Sequence, residues 1–234
     1  SDLNHDPEAF ELLKRRLRPN LENQAQSPGA VYGERVRAIN TVNHFTAKAM
    51  RVEDVDRLDM SVMESFHKTL FANAADFTFF MVGAFKTDAV LPQLATWVGG
   101  LPSTGTKASN FADIGVRFPT GIQKATVEKG KEPKASTLLS FYADPSFEPI
   151  EQEKVIAATT VLETVLRDAL REDLGQTYTV SVGLAQALPQ RGGGYIAVQF
   201  GAAPENIGAM TRSEDHTSEL QSLAYLVCRV LLEK

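Results

Sequence analysis

Leu170-Arg-Glu-Asp-Leu-Gly-Gln-Thr-Tyr-Thr-Val-Ser-Val-Gly183 is the stretch from which the fold is read. Upstream of it, Val155, Ala158, Leu162, Val165, Leu166, Ala169 and Leu170 recur at helical spacing, which predicts a long helix over 151–173. Gly175 follows the last periodic residue, where a left-handed helix cap favours glycine. From Thr177 the period drops to two: Tyr178, Val180 and Val182 share one face, Thr177, Thr179 and Ser181 the other. A helix therefore stops, turns on a glycine and feeds a strand. Arg171 falls on its last turn and Tyr178 at the strand's start, so a cation and a phenol are expected at one edge of a domain. Each also has a plainer role, the arginine complementing the helix dipole and the tyrosine packing half-buried.

Outward from this stretch, the chain alternates between helical and strand signals. Asp6-Pro7-Glu8 and Ser27-Pro28 are helix starts, a cap followed by proline at the first helical position. One or two further helices are expected between Val52 and Leu70, and another from Thr87. Phe77 to Val82 is almost continuously apolar and predicts a buried strand. Further strands are expected near 122–128, 136–143, 176–186 and 194–201, with a last helix opening at Pro204. Gly192-Gly193-Gly194 lacks the Lys-Ser/Thr of a phosphate loop and reads as a hairpin turn. Phe80–Ala84 before the Thr87 helix parallels Val198–Ala202 before Pro204, a weak internal repeat.

The 234 residues carry 43% hydrophobic and 23% charged side chains, the composition of an ordinary globular chain with one or two domains. A net charge of −5 without a basic patch argues against nucleic acid. No apolar run approaches the ~20 residues of a membrane span. The start, Ser-Asp-Leu-Asn, lacks a Met or a signal pattern and reads as an internal piece. Apart from Cys228 the chain is cysteine-free, which suits an oxidising, periplasmic or extracytoplasmic compartment better than the cytoplasm.

Nothing in the sequence supplies a metal site. None of His5, His44, His67 and His216 has a second ligand at i, i+4, and no serine or cysteine has a nucleophile's surroundings. Glu172 and Asp173 point apart and read as solvated. Arg171 and Tyr178 are what remains as chemistry.

The quoted stretch resembles the Leu-Arg-Glu-x-Leu-Gly-x-x-Tyr-x-Val signature in the C-terminal domain of pitrilysin/insulinase-type zinc metallopeptidases. Asp76-Phe-Thr-Phe-Phe-Met-Val-Gly83 looks like that family's strand leading into a short helix and a Leu-Pro loop, Lys129-Gly-Lys-Glu-Pro-Lys134 is similar to its bacterial members, and the resemblance runs over about residues 7–211. It implies an α/β fold of two-layer α+β modules, an antiparallel-rich sheet packed on helices. Residues 1–104 would then end one module, 105–121 link, and 122–211 form an incomplete C-terminal module. It also implies that Arg171 and Tyr178 bind peptide substrate, Tyr178 catalytically. Zinc would be held by an N-terminal metal-bearing half, on the same or a separate chain, with no metal in this one. The alternative is an inactive family member serving as a structural or docking subunit. Residues 212–222 resemble a translated sequencing adapter, with Asp215 as a variant, so 212–234 is expected to be a non-native tail. The competing reading makes the apolar residues 223–231 a core helix.

Overall fold

A computed structural model of the chain describes residues 5–107, 111–174, 179–186 and 190–204; the expected tail at 212–234 lies outside them. The chain divides into two compact units, residues 1–23 with 50–112 and residues 24–49 with 113–234.

The first unit is helical. Helix α1 (Pro7–Gln26) starts as the sequence predicts, the Asp6 carboxylate accepting the Ala9 N–H at 2.9 Å. Helices α3 (Val52–Asp56) and α4 (Met60–Leu70) follow, the latter capped by Asp59. Helix α5 (Thr87–Trp97) begins where its threonine signalled. The Leu101-Pro102 loop returns onto Asn73, which is buried. The Asn73 amide accepts from the Thr104 N–H at 3.1 Å and donates to the Thr106 carbonyl at 3.1 Å. Pairing of this kind is what makes a buried polar side chain tolerable.

The strand expected over 77–82 is not formed. A ladder needs a neighbour, and among the described residues the first unit contains no strand. The internal repeat therefore fails at secondary structure, since only its second copy is a strand. The strand expected near 122–128 is likewise absent, and Ile122 points into solvent.

The second unit holds the sheet. Strands β1 (Ala135–Tyr142), β2 (Val180–Ala185) and β3 (Tyr195–Ala202) lie in the order β1-β3-β2, every pair antiparallel. The outer strands β1 and β2 thus run parallel to each other and are joined by the crossover helix α6 (Pro149–Leu174). Cross-strand partners put Phe200 beside Thr137 and Val180, Val198 beside Leu139 and Val182, and Ile196 beside Phe141 and Leu184, all on one face. Alternate residues of a strand share a face, so this is the apolar side. Helix α6 packs on β2 and buries Val155, Thr159, Leu162 and Leu166, spaced at four, three and four residues. Thr159 satisfies its hydroxyl on the Val155 carbonyl at 3.0 Å.

On the opposite face, helix α2 (Pro28–Asn40) reaches β1. The Asn40 amide donates to the Ser140 hydroxyl at 2.9 Å. Tyr32 meets Ser136, and burial pushes its phenol pKa up against the lowering effect of that hydrogen bond. The Gly-Gly-Gly segment falls in the β2–β3 connection, as the sequence predicts. Gly194 permits the connection to close on β1: a Cβ there would stand 2.3 Å from the Ala143 carbonyl oxygen.

Candidate functional site

The end of α6 and the start of β2 carry the two residues of interest. Arg171 lies within α6, in its last turns; its side chain and the whole of Tyr178 lie outside the described residues. The described residues beside them fix how the helix meets the strand. Gly201 donates to the Thr179 carbonyl at 3.3 Å, so odd-numbered residues of β2 exchange hydrogen bonds with β3. The N–H groups of Val180, Val182 and Leu184 therefore point off the sheet's outer edge. Glu163 of α6 accepts the Val182 N–H at 3.1 Å, and Arg167 donates to the same carboxylate. An edge donor that would otherwise face water or a foreign strand is thus closed by a charge-assisted acceptor. Residues 163, 167 and 171 form one i, i+4, i+8 row, so position 171 continues the row that faces the β2 edge.

The sequence reading passed over Glu163 and Arg167, although their i, i+4 spacing is the signal of a helical ion pair. The role of Glu163 in closing β2 carries no such signal, because nothing local joins it to a backbone N–H 19 residues on.

At the far end of β2 a second polar cluster joins the sheet's ends. The Asp144 side chain, 9% exposed, accepts from the Gly192 N–H at 2.8 Å, Arg191 Nε at 2.9 Å and Gln186 Nε2 at 3.0 Å. Arg117 donates to the Arg191 carbonyl at 3.1 Å and pairs with Asp113. The hydrogen bonds from Arg117 hold Asp113 down at about 2. Burial pushes the Asp144 carboxyl up, but its three donors and the Arg191 charge outweigh this and leave it below the usual range. A carboxyl lowered by folding stabilises the native state above its unfolded pKa, and that contribution is lost as pH falls through the folded value. Asp144→Asn is therefore expected to cost about 1.5–3 kcal/mol at pH 7, as for hydrogen bonds to charged groups, and to flatten the loss of stability below about pH 4. Urea titrations at pH 7 and pH 3 check this; parallel pH dependence in both proteins would show that the carboxylate is not the source.

Each described histidine meets a side chain or backbone group of this chain. His44, which shows no partner in the sequence, bridges Thr46 Oγ1 at 2.8 Å and the Ile114 carbonyl at 2.9 Å. His5 meets Glu64 at 2.6 Å, and His67 lies against the Phe71 ring. His216 is outside the described residues. Among the described residues no three His, Cys, Asp or Glu side chains are grouped to hold a metal ion, so the described residues do not fit a zinc centre. Nor is any helix among them long and apolar enough to cross a membrane.

The sequence profile of the family described as Peptidase M16 inactive domain matches residues 57–225, and the chain belongs to that family. The match contains α4, α5, the whole sheet, α6 and both Arg171 and Tyr178. A zinc protease PQQL-like protein of Arabidopsis thaliana is 28% identical over 193 residues, 77% of this chain and 20% of its own length. This chain thus spans about a fifth of that relative. Among solved structures, the periplasmic protease PqqL of Escherichia coli shares the fold with a TM-score of 0.67 at 19% identity, covering 93% of this chain and 23% of that one. A peptidase M16 inactive domain from Pseudomonas fluorescens gives a TM-score of 0.69 at 16% identity, covering 94% of this chain and 53% of that one. The fold expected from the resemblance, helices packed on a small antiparallel sheet in the pitrilysin manner, is the one found.

Proposed function

We propose that this chain is the substrate-binding, metal-free part of a zinc-dependent metalloendopeptidase. The observation that carries the reading is the family match across 57–225, which takes in Arg171 and Tyr178 at the junction of α6 and β2. Hydrolysis of a peptide bond builds negative charge on the carbonyl oxygen, and a phenol donates to that oxyanion without itself being charged. A guanidinium presents several fixed donors to peptide carbonyls and stays protonated at any working pH. In this reading Tyr178 has the first role and Arg171 the second.

The zinc ligands belong to a metal-bearing half outside these residues, on the same polypeptide or a partner. Residues 1–104 would close one module and 122–211 form the C-terminal one. The likeness to a periplasmic protease, with a chain cysteine-free but for Cys228, supports a periplasmic or other extracytoplasmic site. The longer polypeptide is expected to cleave a fluorogenic peptide, to lose that activity to a zinc chelator and to regain it with zinc. This chain alone is expected to bind no stoichiometric zinc and to cleave nothing. One tight zinc per isolated chain would overturn the assignment of halves. A folded, zinc-loaded longer polypeptide that cleaves no peptide would favour a docking subunit instead.

A further inference from the structure

Two side chains of α6 reach towards β2. Gln152 Nε2 meets Gln186 Oε1 at 3.4 Å, just past the strand's end, and Glu163 accepts the Val182 N–H at 3.1 Å from within it. Apolar burial also holds the two together, since α6 packs on β2 and buries Val155, Leu162 and Leu166. Such burial is non-directional: it presses the helix onto the strand without fixing where along the strand the helix comes to rest. A hydrogen bond has a preferred length and angle, and so it fixes that position. The Gln152–Gln186 bond is long and lies at the end away from Arg171. The Glu163–Val182 bond lies at the near end.

Glu163 is itself held in place. Arg167, one helical turn on, donates to the same carboxylate, and both side chains are partly buried. A carboxylate gripped by a guanidinium is a stronger and better oriented acceptor than a free one. From Glu163 the helix makes about two turns to reach Arg171. From Val182 the chain runs back only four residues to Tyr178. One hydrogen bond therefore joins the two elements whose ends carry the proposed substrate-binding pair.

We propose that Glu163 is a positioning residue for peptide hydrolysis. By tying α6 to β2 at Val182 it sets the register of the helix along the strand, and Arg171 and Tyr178 are presented to the substrate in that register. Arg167 serves the same end by holding the Glu163 carboxylate. The inference rests on the roles proposed for Arg171 and Tyr178, and Glu163 acts through them rather than on the substrate.

Steady-state kinetics of Glu163→Ala in the zinc-loaded longer polypeptide, alone and combined with Tyr178→Phe, test it at a temperature where circular dichroism shows each variant folded. Glu163→Ala alone is expected to lower kcat about ten- to a hundredfold, since misplacing a catalytic group by about 1 Å costs on that order. In the Tyr178→Phe background the same substitution is expected to change kcat by less than about twofold, because the hydroxyl through which it acts is already gone. Glu163→Gln keeps an oxygen for the Val182 N–H and is expected to retain most of the kcat. The Val182 amide proton, read by NMR in this chain, is expected to move upfield in Glu163→Ala and to stay near its place in Glu163→Gln. Unaltered kcat in Glu163→Ala, an equal loss in both backgrounds, or an unmoved Val182 resonance would reduce Glu163 to a cover for the strand edge. Each of these overturns the proposal and leaves the role of Tyr178 standing. An unaltered kcat in Tyr178→Phe would instead remove the reading on which the proposal rests, and the proposal with it.

Discussion

Phe200→Ala is expected to cost the second unit about 3–5 kcal/mol, the range for truncating a buried phenylalanine. Phe200 is 7% exposed on β3, the middle strand, with Thr137 on one side and Val180 on the other. Removing the ring leaves a cavity beneath α6 that strands pinned on both sides cannot collapse to fill. Phe80→Ala, at an 89% exposed ring in the same chain, is expected to change stability by no more than about 0.5 kcal/mol. The comparison is read by far-UV circular dichroism or exchange at the β3 amides, because the single tryptophan, Trp97, lies in the first unit and does not report on the sheet. Equal losses at the two phenylalanines would contradict the burial pattern on which this account of the fold depends.

What was legible beforehand is what depends on local signals. Asp6-Pro7 and Ser27-Pro28 fix helix starts because cap and proline act within one turn, and α1 and α2 begin there. The change of period after Leu170 separates α6 from β2, and the helix and strand lie on either side of that change. Phe77–Val82 marks the limit. Its composition says that the segment is to be buried on both faces, but pairing depends on a neighbour that the local pattern does not contain. Pairing of 122–128 likewise depends on a neighbour that the local pattern does not contain. Polar contacts over long separations were equally hidden: Asp144 and Arg191 are 47 residues apart, and His44 reaches Ile114 across 70. Such contacts specify the closing of the sheet, yet each partner alone reads as an ordinary solvated residue.

For the candidate site, the sequence placed Arg171 in the last turns of a helix, and α6 runs through it. The Glu163–Val182 bond that orients this helix against β2 emerges only from the fold. With Glu163 holding the edge, α6 has one face on the core and a row at the strand, so the position of residue 171 follows from packing rather than from propensity.

The reading of Tyr178 as an oxyanion donor is tested most directly by steady-state kinetics of Tyr178→Phe in the zinc-loaded longer polypeptide, beside the unaltered protein and Arg171→Ala. A donor used only as charge develops acts in the transition state, so its loss lowers kcat while leaving KM nearly unchanged. The expected fall is about 10²–10³, the usual effect of removing one such donor and equivalent to roughly 2.7–4 kcal/mol. Phenylalanine keeps the ring and its packing, which separates the hydroxyl's role from that of the aromatic body. Arg171→Ala is expected to raise KM as well, because it would hold substrate carbonyls before reaction as much as during it. A fall in kcat at Tyr178→Phe with an unmoved KM is the result this account predicts; an unchanged kcat would contradict it and leave Tyr178 a packing residue.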